Sequence, residues 1–262
     1  MKQYWNVYKM LCKLNFSKLL AYRGNFINSL ISSTGYGLLS FLVIVILTSQ
    51  TPMVFGWKRE ELILLMGVYN MLVGGVYSIF IVRNFDRFVE NVDMGRLDSY
   101  LMKPIDSQFL LSVSTISYVQ VIRFIMGFLI TVYMMSLLHI KITMFQLLLF
   151  IFLSFFSIVL LYSLWYLIIT MTIWNTKLSN LVDLMYRFND LARFPPKMFD
   201  AVKNYFIFII PYLFIIVTPV KVLLNKATMS DVVGLVFFSL LLFYISRKFW
   251  KYALKSYTSA SS

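Results

Sequence analysis

The chain has 262 residues, is 60% hydrophobic and only 13% charged, and carries a formal net charge of +13. Ordinary soluble domains hold about 25% charged residues, so this composition excludes that class. A single cysteine, Cys12, excludes an internal disulfide, and a single histidine, His139, excludes a histidine-rich metal site.

Residues 1–23 interleave Tyr4, Trp5, Val7, Tyr8, Leu11, Leu14, Phe16, Leu19 and Leu20 with five Lys or Arg and no acid. That pattern predicts a basic amphipathic helix lying in the headgroup layer. It has no compact apolar run followed by a cleavage site, so the segment is expected to be retained. The stretch 26–48 is long enough to cross the ~30 Å hydrocarbon layer, and Gln50, Thr51 and Pro52 close it. A second span, 62–82, lies between the charged run Lys58 to Glu61 and Arg83. Its Gly74-Gly75 pair reads as a close-packing point between helices.

Segment 83–107 mixes four basic with five acidic residues and interleaves Phe85, Phe88, Val89, Leu97, Tyr100 and Leu101. Both signs of charge beside apolar anchors suit a protein docking surface. A loop folded only against its own bundle is the alternative. Span three, 117–138, follows a gradual return of hydrophobicity that allows a helical extension before it. Arg123 lies within this span, where an ionisable residue reads as functional unless its long stem snorkels to the interface. Ile140 to Thr143 predicts a tight turn. Between Lys141 and Lys177 there are 35 residues without a charge, so span four, 144–173, exceeds the membrane thickness and predicts tilt or protrusion.

The next region is ambiguous. Residues 178–194 set Leu178, Leu181, Val182, Met185, Phe188 and Leu191 against Asp183, Arg187 and Asp190, whereas 205–220 is apolar but interrupted by Pro211 and Pro219. Only one of the two can be an ordinary crossing if the termini are to agree. The last span, 231–247, is short but flanked by Asp231 and by Arg247, Lys248 and Lys251, which can snorkel. The sum is an all-α polytopic membrane protein of six crossings. Fourteen Lys and Arg fall on the side of both termini and loop 83–107, against about eight on the other, which predicts that both termini and that loop are cytoplasmic. The same clustering at span ends argues against nucleic-acid binding.

Nucleotide, dinucleotide, zinc-protease, serine-hydrolase and dithiol motifs are all missing. Loop 83–107 instead resembles the membrane subunits of type-2 ABC exporters, whose corresponding segment reads like G-x-L-D-x-x-L-x-K-P-x-D. Gly95, Leu97, Asp98, Leu101, Lys103, Pro104 and Asp106 match it, and RFPPKMF at 193–199 with T-P-x-x-x-L at 218–223 adds a second match. The similarity covers essentially the whole chain.

The resemblance implies a half-transporter that pairs with a second permease, identical or homologous, around a central pathway. Separate ABC ATPase subunits, which carry ATP and Mg, dock on Asp86, Arg87, Glu90, Asp93, Gly95, Arg96, Leu97, Asp98, Leu101, Lys103 and Pro104. The chain itself is then no enzyme and binds no cofactor or metal. In that family the amphipathic segment 178–193 is the fifth span and 204–224 an external re-entrant hairpin, so Arg123, Asp183, Arg187, Asp190, Pro195 and Pro211 are expected at the pathway or the dimer interface. Phe-, Lys- and Tyr-rich usage is associated with low-GC bacteria, which points to a bacterial cell membrane.

Two other classes stay open on the residues alone. An ion-coupled transporter or channel needs midplane ionisable groups, which spans one, two and four lack. A membrane-embedded enzyme needs paired acids at one depth, for which Asp183 and Asp190 are the candidates.

Overall fold

A computed structural model describes residues 2–49, 53–174, 180–199 and 209–257. Helix α1 (Lys2–Ala21) is followed at Tyr22 by α2 (Arg23–Leu47). A two-stranded ribbon, β1 (Met53–Val54) and β2 (Trp57–Lys58), turns on Phe55 and Gly56, both at positive φ. Two such residues in succession make the tight hairpin turn whose twist matches its strands. Helix α3 (Arg59–Tyr69) continues without a break as a π-helix over Asn70–Val82 and then as α4 (Arg83–Asp93). Next come α5 (Asp98–Leu101), α6 (Ser107–Val113), a 3-10 turn at Tyr118–Gln120 and α7 (Val121–Leu137). The chain ends with α8 (Met144–Met171), α9 (Asn180–Leu191), α10 (Ile209–Leu223) and α11 (Met229–Ser256).

Among the described residues, five helices are long and apolar enough to cross a membrane: Arg23–Leu47, Arg59–Ile79, Tyr118–Leu137, Met144–Met171 and Met229–Ser256. They coincide with expected spans one to four and six. The second is the centre of the bundle, with 83% of its apolar window buried against 22% for the first and 17% for the last. The outer helices direct Ile31, Leu39, Ile46, Leu129, Phe155 and Phe237 outward, as helices solvated by lipid do.

The structure refines the remaining boundaries. The last helix runs to Ser256 instead of stopping near 247, because Trp250 buries against Phe88 and bonds Ser107 of the 83–107 region. The extension expected before span three is a separate helix, α6, broken from α7 at 114–117. There Asn84 holds the chain by donating to the Thr115 carbonyl (2.8 Å) and accepting from the Thr115 N–H (2.7 Å). Residues 138–143 are non-helical, as the expected turn requires.

The described part of the expected fifth crossing, α9, has 12 residues, about 18 Å at 1.5 Å per residue. Of the expected re-entrant hairpin, 204–208 lie outside the described residues, and 209–223 form the single helix α10, with Pro219 inside it. Pro219 has no N–H to give to the carbonyl of Ile215 four residues back. The fully buried Ser157 of α8 supplies the missing donor, its Oγ bonding to that carbonyl. This sequence-specific bond holds α10 against the centre of α8.

Salt bridges and caps separate the two ends of the bundle. At one end Lys226 Nζ meets Glu61 Oε1 at 2.6 Å and Gln146 bonds Asn225. At the other, Arg247 grips Asp106, and α1 packs on 109–118 through the Tyr4–Phe109 rings (5.0 Å) and the Tyr118 hydroxyl donating to the Cys12 carbonyl (3.0 Å). Trp5, Met10, Leu14, Phe16 and Leu20 of α1 remain exposed, interleaved with the exposed Lys2, Lys9 and Lys13 instead of gathered on one apolar face.

Candidate functional site

Two features stand out from the lipid-facing bundle: an ordered surface on 83–107 and a polar recess among the spans. The surface rests on an aromatic cluster. Phe85 stacks on Trp165 (5.7 Å, 18° between planes), Phe88 meets Trp250 (5.7 Å), and Tyr166 meets Trp250 (5.5 Å). Aromatic pairs of this geometry contribute roughly 0.5–1.5 kcal/mol each beyond area burial, so α4 is keyed to both α8 and α11.

Helix α4 stops because Gly95 adopts φ +65°. The Gly95 N–H bonds Val92 O (3.1 Å) and the Arg96 N–H bonds Asn91 O (2.7 Å), the paired bonds of a Schellman cap. Glycine is needed there because an L side chain is strained in that conformation. Asp106 caps α6 by accepting from the Phe109 N–H (2.9 Å), and Arg247 Nη1 donates to its Oδ1 (2.9 Å). That bond to Arg247, opposed by partial burial and helped by the α6 N–H groups, holds the Asp106 carboxyl below the usual carboxylate range.

The residues expected to meet a partner thus divide. Arg87, Glu90, Asp93, Arg96, Lys103 and Pro104 are exposed, and Asp86, also at the surface, accepts from the Tyr186 hydroxyl (2.7 Å). Gly95, Asp98 and Leu101 are half-buried, and Leu97 is fully buried. In the G-x-L-D-x-x-L-x-K-P-x-D wording, therefore, Gly95, Leu97 and Asp106 build the platform and Lys103 and Pro104 stand on its surface.

The recess forms where span two meets span three. At Gly67, Gly75 and Gly127 the backbones approach so closely that an added Cβ would collide. A Cβ on Gly75 would lie 2.6 Å from Phe124 Cβ, and one on Gly127 would lie 2.4 Å from Met71 N. Of the expected Gly74-Gly75 packing point, Gly75 thus meets the partner helix's backbone, whereas Gly74 leaves room for the Arg123 side chain. Helix packing through small residues is favoured in membranes because dispersion contacts grow as backbones approach. Gly74 faces the Arg123 guanidinium directly.

Arg123 is buried; its Nη2 donates to Asn70 Oδ1 (3.2 Å) and its guanidinium lies over the Tyr36 ring at 5.1 Å. Asn70 opens the 13-residue π-helical stretch. On the far wall, Asp190 accepts from the hydroxyls of Tyr69 (3.0 Å) and Tyr36 (3.2 Å) and pairs with Arg193 (3.7 Å). Asn189 Oδ1 accepts from Trp165 Nε1 (2.9 Å). Between these walls lies a cavity of about 240 Å³ lined by Tyr36, Tyr69, Val73, Ser78, Arg83, Ser117, Gln120, Arg123, Tyr186, Arg187, Asn189 and Asp190.

Of the expected pathway residues, the structure brings Arg123, Arg187 and Asp190 to this cavity. Asp183 stands exposed two turns earlier on α9, so the two acids do not form a catalytic pair. Pro195 and Pro211 are buried in the packing around α9 and α10. Sequence reasoning missed Tyr36, Tyr69 and Asn70. An asparagine within an apolar span was the available signal, since such a group must find a partner helix.

No curated protein and no solved structure matches the chain. The family model described as ABC-2 family transporter protein matches residues 35–261, from within α2 to beyond α11. The chain therefore belongs to the ABC-2 transporter family, as a multi-pass membrane permease component.

Proposed function

We propose that this chain is half of the membrane pathway of an ATP-driven exporter, paired with a second permease and moved by separate ATPase subunits docked on 83–107. The carrying observation is the exposed, mixed-charge surface of Glu90, Asp93, Arg96 and Lys103 on an element keyed to α8 and α11 by aromatic rings. Force applied to α4 passes without a helix break into the π-helical stretch and reaches Asn70 and Arg123 at the cavity. ATP and Mg belong to the partner. In this reading α9 is the fifth of six crossings, 204–224 a re-entrant element, and the termini lie in the cytoplasm of a bacterium.

Reversing the charges at Glu90, Asp93 and Arg96 together tests the docking. The variant should remain folded in the membrane, lose its co-purifying ATPase and lose ATP-driven transport. Unchanged ATP-driven transport would refute it. The ion-coupled alternative has one observation in its favour, Asp190 held by two tyrosine hydroxyls inside the bundle. Transport in vesicles that follows an ion gradient and ignores ATP would select that reading instead.

A further inference from the structure

A second cavity, of about 260 Å³, lies between α1, the start of α2 and α4, with Lys18, Arg83 and Arg87 on its walls. It shares Arg83 and Ser117 with the cavity beneath Arg123. The two recesses thus border the same two residues, one lying beside α1 and the other in the middle of the bundle. Their combined lining carries Lys18, Arg83, Arg87, Arg123 and Arg187 against one acid, Asp190, which two tyrosines and Arg193 already occupy. Two groups on the way have no partner among the described residues: Ser117 Oγ, in a residue 3% exposed, and Arg123 Nε, in a residue 8% exposed. A buried donor without an acceptor is costly, and a cation within a span attracts a counter-charge strongly because water screens it little.

Resting on the export reading, we infer that these adjoining cavities mark the entry path for an amphiphile with an anionic headgroup, a phosphate or carboxylate. It is taken from the leaflet on the 83–107 side, past Arg83, to Arg123. The headgroup accepts hydrogen bonds from Ser117 and the arginines, while its apolar tail lies along the exposed apolar residues of α2 and α7.

The test uses the permease with its co-purifying subunits in phosphatidylcholine nanodiscs, without ATP, and measures equilibrium binding of dodecyl phosphate. A charge-assisted hydrogen bond supports an expected loss of about tenfold or more in affinity for each of Arg83→Gln and Arg123→Gln. The exposed Lys251→Gln should bind as wild type does. Arg83→Gln keeps the test decisive if the buried Arg123 variant fails to fold, because Arg83 is exposed. Equal binding of dodecyltrimethylammonium, or unchanged affinity in Arg83→Gln, would overturn the inference. Inorganic phosphate binding as tightly as dodecyl phosphate would also overturn it, reducing the site to one for a free ion. Because binding is read without ATP, failure of the docking reading shows separately, as lost ATPase coupling with binding intact.

Discussion

The bond between Ser157 and the Ile215 carbonyl makes a sharp test of how α10 is held. Pro219 leaves that carbonyl without its intrahelical donor, and both Ser157 and Ile215 are buried to within about 1% of full burial. Ser157→Ala removes the only replacement donor found there among the described residues. An unsatisfied buried carbonyl costs about 1–3 kcal/mol in water-soluble proteins, and membrane hydrogen bonds average ~0.6 kcal/mol with a maximum of ~1.7. The expected loss is therefore about 1 kcal/mol, or roughly 2–4 °C in melting temperature for a chain of this size. Pro219→Ala restores the N–H, so the serine becomes dispensable in that background. Thermal unfolding of the four proteins in one mild detergent gives the double-mutant cycle, with an expected coupling of about 1 kcal/mol. If Ser157→Ala costs the same with and without Pro219, the serine is not compensating for the proline and the account of α10 fails.

Gly127→Ala places a Cβ 2.4 Å from Met71 N and 2.7 Å from Gly67 O, both backbone atoms, so spans two and three must separate; overpacking of this kind costs about 1–3 kcal/mol. Gly35→Ala meets nothing within 4 Å and should be neutral or slightly stabilising, as a comparison of melting temperatures will show. Because Arg247 lowers the Asp106 carboxyl, wild type should exceed Arg247→Gln in stability fully above about pH 4, the unfolded carboxylate value. That advantage disappears as pH falls through the lowered folded value. With Arg247 35% and Asp106 26% exposed at their side chains, solvent screening limits it to about 1 kcal/mol; a melting series from pH 7 to pH 3 checks both sign and window.

The long apolar spans, the N-terminal helix and family membership were legible in the residues because each depends on local quantities. The length of a charge-free run decides whether a helix can cross, and the seven matching positions of 95–106 lie within 12 residues. The close packing at Gly75 was legible for the same reason, as two adjacent glycines in an apolar span have few other uses. The ribbon at 53–58 and the 114–117 break were not, since both are set by single backbone angles and by Asn84 bonding 31 residues away. The cavity was only half legible: Arg123 and Asp190 declared themselves as charges among apolar neighbours, but their partners did not.

What the sequence by itself determined is thus the class of molecule and its long helices, since hydropathy is summed along the chain. Only the tertiary structure decided that Tyr36 and Asp190, 154 residues apart, share one bond, that Ser157 answers Pro219, and that two basic recesses both border Arg83 and Ser117. The physical reason is rotational register. A polar group in a membrane must find a partner on another helix, and which partner it finds depends on how far each helix is turned and slid, which glycine contacts and aromatic packing fix together.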